Sequence, residues 1–242
     1  ILILYQTPLY SKSKSFNDFN ANDLSKYFSG IVALENKNNS KALDFFNSSK
    51  ILLNRHDTYL KKYVYSLVLE NKVTQAINVV RNNRNKKNTN FFDAYLLLIL
   101  DSLKKKDYDK AYFYLKKTTN LPQPDRLNSA IVESLKQYIH VFKEKKILNN
   151  KKNLGKLSLI SETFQRCYLE DITTDTFFSN LINDKEADYT RYTYFFLGHL
   201  IENGKIEEAK KIVQNLDLIN TTLLLSQGKS WIENGNENKF SK

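Results

Sequence analysis

Hydrophobic positions recur three and four residues apart through most of the chain, in segments of about 12 to 15 residues that short breaks rich in Asn, Lys and Asp separate. This period places the apolar side chains of each segment on one face of a helix. From Asn22 onward the segments come in pairs, which are residues 22–36 with 39–53, 57–71 with 73–83, and 91–105 with 108–121. The pattern predicts an all-α protein built of helical hairpins.

The second segment of each pair carries an internal repeat. Ala42 and Ala76 are 34 residues apart, and Ala76 and Ala111 are 35 residues apart. A larger apolar residue follows each alanine four positions later, at Phe46, Val80 and Leu115. A small side chain lets two helices approach closely, while the larger one on the same face fills the space toward the next hairpin. Because one hairpin cannot bury both of its faces, neighbouring hairpins are expected to stack into a solenoid.

The most complete copy of the repeat is "KKKDYDKAYFYLKKTTNLP", residues 104–122. It contains Tyr108, the small residue Ala111, the apolar residue Leu115 and a closing proline, Pro122. These residues resemble the tetratricopeptide repeat family, whose unit is a helix-turn-helix of about 34 residues with a small residue early in its second helix. The resemblance implies a right-handed α-solenoid.

The resemblance does not extend evenly over residues 20–242. Clear repeats cover residues 23–122 and 190–217, and in the second of these ranges Gly204 lies in the turn and Ala209 at the small position. An irregular middle section, residues 125–185, keeps the helical period without the repeat signature. The last residues, 218–242, look like an incomplete final repeat in which Phe240 opens a second helix. The chain is therefore expected to be a piece of a longer bacterial protein.

The first 19 residues differ from the rest, because an apolar patch is followed by a stretch rich in Ser and Lys, with small residues at Ser11 and Ser13. This order is typical of the end of a secretory signal peptide, which predicts a periplasmic or otherwise exported protein. The alternative is a frayed or buried terminal segment of a cytoplasmic protein. No run approaches the roughly 18 to 20 apolar residues that a membrane span needs.

The net charge of +11 points to nucleic acid or an anionic membrane as a class of partner. Only six of the 37 basic residues are arginine, however, and a scattered excess of lysine mainly serves solubility. Two basic stretches, residues 81–90 and 143–156, interleave with aromatic residues in a way that suits RNA. Aromatic residues at helical spacing are more commonly core, so nucleic acid is not the expected partner.

Candidate catalytic and metal-binding residues are few. The single cysteine, Cys167, excludes an internal disulfide, and His56, His140 and His199 have no other histidine or cysteine at metal-ligand spacing. The six glycines form no phosphate-binding loop. The sequence therefore predicts no enzyme, no cofactor and no metal site.

The resemblance implies a non-catalytic scaffold or adaptor that binds a peptide or protein partner in a concave groove lined by the first helix of each hairpin. The groove positions expected on this basis are Tyr27, Lys61, Tyr65, Asp93 and Leu96. Two alternatives remain open. One is the helical, substrate-positioning part of a larger exported enzyme. The other is an RNA-binding solenoid of the pentatricopeptide type, which predicts a polar base-reading residue at a fixed place in every hairpin; the first three hairpins show no such column.

Overall fold

The computed structural model describes residues 20–56, 58–84, 87–121, 125–149, 151–184, 190–216 and 222–241. Within these ranges the chain forms twelve α-helices, three short 3-10 helices and no β-strand, so the all-α prediction is confirmed. None of these helices combines the length and the apolar character that a bilayer crossing requires. The predictions for residues 1–19 and for Pro122 lie outside the described residues.

The chain divides into two compact units, unit 1 (residues 1–123) and unit 2 (residues 124–242). The helices of unit 1 are α1 (Ala21–Glu35), α2 (Asn39–Ser48), α3 (Tyr59–Leu69), α4 (Val73–Asn83), α5 (Phe92–Lys104) and α6 (Tyr108–Thr118). The helices of unit 2 are α7 (Arg126–Glu144), α8 (Lys156–Tyr168), α9 (Thr174–Ile182), α10 (Thr190–Glu202), α11 (Ile206–Gln214) and α12 (Leu223–Glu233). In unit 1 each helix packs on the next, and α3 also contacts both α1 and α5.

The three hairpins of unit 1 close with the same backbone turn. Its central residue has a positive φ of 57° to 58° and is Lys37, Asn71 or Lys106. In the first hairpin the amide of Asn38 donates to the carbonyl of Ala33 over 2.9 Å, and equivalent bonds of 2.8 and 2.9 Å close the other two. These bonds satisfy carbonyl groups that the end of a helix leaves without partners. The turns recur at the same 34- and 35-residue intervals as the alanines, so the period read from the sequence is also a period of the structure.

Close helix contacts within each hairpin depend on the alanines. Ala42, Ala76 and Ala111 are fully buried, as the small positions of the repeat predict. In the first hairpin the ring of Phe46 also lies against Gly30 of α1, where an added Cβ would be only 2.9 Å from a ring carbon. The small residues therefore set the distance between the two helices of a hairpin.

Unit 2 uses the same turn, including in the section predicted to be irregular. Positive-φ residues form this turn three times in unit 2, at Glu170, Gly204 and Gly235. Of these, only Glu170 lies in the section predicted to be irregular, and Gly235 joins α12 to a short 3-10 helix. Glu170 and Gly204 are 34 residues apart, so α8 and α9 form a hairpin in phase with α10 and α11. The sequence signature is missing because Asp175 stands five residues after Glu170, whereas Ala209 stands at that distance after Gly204.

The end of unit 2 differs from the predicted incomplete repeat. Phe240 does not open an α-helix but lies in a 3-10 helix, Glu237–Ser241. Its ring packs against Tyr194 of α10 and Trp231 of α12, with ring centroids 5.2 and 5.3 Å apart. Contacts between aromatic rings are favourable, and the partly buried Phe240 ring holds this segment against the core of unit 2.

Candidate partner-binding groove

A groove of about 520 Å³ runs between α3 and α5, the first helices of the second and third hairpins. We call it the α3–α5 groove, and it is lined by Lys61, Lys62, Val64, Tyr65, Val68, Asp93, Leu96, Leu97 and Leu100. On each helix most of these residues are spaced three or four apart, so they share the face that the helix turns toward the other. The contact between α3 and α5 brings the two faces together.

The groove has an apolar interior and a charged rim. Val64 is buried at its base, whereas Tyr65 and Leu100 are 52% and 48% exposed. At the rim Lys61 Nζ lies 3.7 Å from Asp93 Oδ2, and both side chains are more than half exposed. An ion pair in such a position contributes little to stability, about 0 to 1 kcal/mol. Its charges therefore remain available to a partner.

Four of the five residues expected to line a groove lie together in this one. Lys61 and Tyr65 come from α3, and Asp93 and Leu96 come from α5. The prediction that Tyr27 lines a groove is corrected, because the Tyr27 side chain is only 2% exposed and belongs to the core of unit 1. Its hydroxyl is 2.9 Å from Thr58 Oγ1.

Sequence reasoning missed several residues of the groove, among them Val68, Leu97 and Leu100. Their helical spacing from predicted groove residues could have indicated them, since Val68 follows Tyr65 by three positions and Leu100 follows Leu96 by four. Extending each predicted position by one helical turn would have found them.

A second polar cluster joins α8, α9 and α10 in unit 2. His199 Nε2 lies 2.8 Å from Asp175 Oδ1, so the imidazole N–H donates to the carboxylate. The other ring nitrogen, Nδ1, then faces the Cys167 thiol at 3.7 Å. Lys205 also donates to Asp175, and Asn203 Nδ2 donates to the His199 carbonyl over 2.8 Å. A thiol, an imidazole and a carboxylate thus follow one another, as they do in nucleophilic sites.

The electrostatics of this cluster oppose a reactive thiolate. Burial raises the pKa of the Cys167 thiol, and the negative charge of Glu202 adds to the rise. Cys167 also lies in the last turn of α8, where the helix dipole disfavours an anion. Burial alone would raise the pKa of Asp175, but hydrogen bonds and charges from Lys205 and His199 outweigh it and hold that pKa below its ordinary value. The cluster is therefore a packed polar contact with a protonated thiol.

No arrangement of three or more His, Cys, Asp or Glu side chains that could hold a metal ion occurs in the described part of the chain.

Comparison with models of protein families, with curated proteins and with solved structures finds no match. The resemblance to tetratricopeptide repeats therefore stays a prediction based on the residues themselves.

Proposed function

We propose that this chain is a non-catalytic helical-repeat scaffold, of the tetratricopeptide-like kind that its sequence resembles, and that it binds a peptide or protein partner in the α3–α5 groove. The observation that supports the proposal is the pair Tyr65 and Leu100, two large apolar side chains about half exposed in one groove between facing helices. Exposed apolar patches rimmed by polar residues commonly mark protein interaction sites.

The groove favours a partner segment with one or more large apolar side chains and with charged residues beside them. An apolar side chain inserted between Tyr65 and Leu100 would bury surface that is now exposed to water, at about 25 cal/mol per Å². The rim charges at Lys61, Lys62 and Asp93 would act mainly on the orientation and the association rate of the partner.

Selection of peptides on the immobilised chain tests this proposal. A random peptide library displayed on phage is selected for binding to the wild-type chain, and selected peptides are then measured by calorimetry. Leu100→Ala is expected to weaken their binding about tenfold or more, which is typical of a central apolar anchor. Lys61→Ala is expected to weaken it less than about threefold, because rim charges contribute little.

The matched control is Leu223→Ala, which removes the same atoms from a leucine of α12 that is 87% exposed and outside the groove. Circular dichroism establishes that each variant keeps its helical content. If Leu100→Ala and Leu223→Ala weaken binding equally, or if neither changes it, the α3–α5 groove is not the partner site.

A further inference from the structure

A second depression of unit 1 lies beside α6 and has a different chemical character from the α3–α5 groove. Its volume is about 440 Å³, within the range of about 300 to 1,000 Å³ typical of ligand sites. We call it the α5–α6 cleft, and it is lined by Arg84, Thr89, Ala94, Tyr95, Leu98, Phe113, Tyr114 and Lys117. It shares no lining residue with the groove, because α5 presents Ala94, Tyr95 and Leu98 here and Leu96, Leu97 and Leu100 there.

The cleft combines a closed apolar floor with exposed aromatic and cationic side chains. Ala94 and Leu98 are buried beneath it, whereas Phe113 is 54% exposed. Lys117 Nζ lies 5.3 Å from the centroid of the Phe113 ring. Arg84, at the C-terminal end of α4, supplies a second exposed cation. The site therefore offers a ring face and two positive charges within one depression.

The row of aromatic and cationic side chains continues along α6 beyond the cleft. Lys116 Nζ lies 4.8 Å from the ring centroid of Tyr112, which is 43% exposed. Since i and i+4 positions are neighbours on a helix, each lysine stands one turn beyond the ring that it covers.

The positive charges of Arg84, Lys116 and Lys117 are not neutralised by ion pairs with described carboxylates. In the described part of the chain no carboxylate forms an ion pair with Arg84, Lys116 or Lys117, and Asp101 of α5 is engaged by Arg81 and Lys105. The acidic residue of α6, Asp109, lies two turns before Lys117, about 12 Å along the helix axis.

Tyr95, one of the two tyrosines of the cleft, adds no negative charge of its own. Burial raises the pKa of Tyr95, and its hydroxyl donates to Asn90 Oδ1 over 2.7 Å. The phenol is therefore neutral at physiological pH and does not repel an anion.

We infer that the α5–α6 cleft is a binding site for single-stranded nucleic acid. In the complex Lys117 Nζ moves from the Phe113 ring to a flanking phosphate, a base stacks on the ring face that Lys117 leaves, and Arg84 holds a second phosphate. Stacking on an exposed ring requires an unstacked planar base, which a single strand offers and a duplex does not. The row formed by Tyr112 and Lys116 receives the next nucleotide. This function is separate from partner binding in the α3–α5 groove.

The test is fluorescence anisotropy of the whole chain with a labelled oligouridylate of about ten nucleotides, a length within the range that such sites cover. The titration is repeated between about 50 and 200 mM salt and with an RNA hairpin of the same charge. Phe113→Ala is compared with Phe28→Ala, since Phe28 of α1 is also more than half exposed but lies outside the cleft. Lys117→Gln is compared with Lys110→Gln, which makes the same charge change at an exposed lysine two turns earlier on α6 that does not line the cleft.

The expected results distinguish specific binding of RNA in the cleft from non-specific electrostatic attraction of RNA to a basic protein. Phe113→Ala weakens binding about tenfold through the lost stacking platform, while Phe28→Ala changes it less than about twofold. Lys117→Gln lowers the slope of log Kd against log salt by about 0.7, the value for one phosphate contact on a single strand, and Lys110→Gln lowers it less. The hairpin binds more weakly than the single strand.

Three outcomes overturn the inference. They are no measurable binding of the oligouridylate, equal losses in Phe113→Ala and Phe28→Ala, or equal affinity for the hairpin and the single strand. Because Phe113 is exposed, its replacement leaves the fold intact, and circular dichroism of each variant verifies this.

Discussion

Replacing Gly30 by alanine tests whether the close contact between α1 and α2 is a fixed feature of the fold. A Cβ at this position would lie 2.9 Å from Cε1 of Phe46 and 3.1 Å from both Cδ1 and Cζ. Favourable contacts between carbon atoms are about 3.5 to 4.0 Å long. The Phe46 ring cannot easily move away, because it is fully buried and packs against Tyr27 and Tyr59, with centroids 6.0 and 6.1 Å apart.

Two opposing effects decide the magnitude. Alanine is a better helix former than glycine by about 1 kcal/mol, which favours the variant. Overpacking of a well-filled core costs about 1 to 3 kcal/mol. The free energy of unfolding is therefore expected to fall by up to about 2 kcal/mol in Gly30→Ala.

Gly198→Ala is the matched control, because Gly198 lies inside α10 and its added Cβ would meet Phe240 at 3.5 Å, an ordinary contact distance. It is expected to stabilise the protein by about 0.5 to 1 kcal/mol through helix propensity alone. Urea denaturation followed by circular dichroism measures both variants. The fluorescence of Trp231, the single tryptophan of the chain, additionally reports on Gly198→Ala within unit 2.

A stabilisation of Gly30→Ala equal to that of Gly198→Ala would refute the reasoning, since the helices or the ring would then adjust freely. A second substitution gives an independent check. In the Gly30→Ala background, Phe46→Leu removes the crowded ring, so the double variant is expected to lose less stability than the sum of the single losses.

Three further predictions concern polar side chains in contacts between helices. Alkylation of Cys167 by iodoacetamide at pH 7 is expected to be slower in the native chain than in urea, because burial raises the pKa of the thiol; equal rates would contradict this. The pKa of Asp175 is depressed in the folded state, so its contribution to stability is present above the unfolded value of about 3.9 and is lost as the pH falls below it. Asp175→Asn should therefore show a smaller drop in melting temperature between pH 5 and pH 3 than wild type, and an unchanged drop would count against the ion pairs with Lys205 and His199. Tyr59→Phe removes a buried hydrogen bond to the Phe46 carbonyl and should lower the free energy of unfolding by about 1 kcal/mol in urea denaturation, whereas no loss would show that this bond is weak.

The helices of unit 1, their pairing and their period could be predicted from the sequence. These features depend on short local patterns, in which an alanine is followed one helical turn later by a larger apolar residue, and the same pattern recurs at Ala42, Ala76 and Ala111. The same local rule brought Lys61, Tyr65, Asp93 and Leu96 to one groove, because residues on one face of a helix stay on that face wherever the helix packs.

Only the tertiary structure decided which of those faces are covered. Tyr27 has the same helical spacing as an exposed groove residue, yet rings from α2 and α3 bury it. The sequence did not reveal the hairpin of α8 and α9, because Asp175 stands in α9 where the other hairpins have an alanine. Asp175 is accommodated there by His199 and Lys205, which are 24 and 30 residues away in sequence. Such compensation depends on contacts between helices, and the hydrophobic pattern of a single segment does not record them.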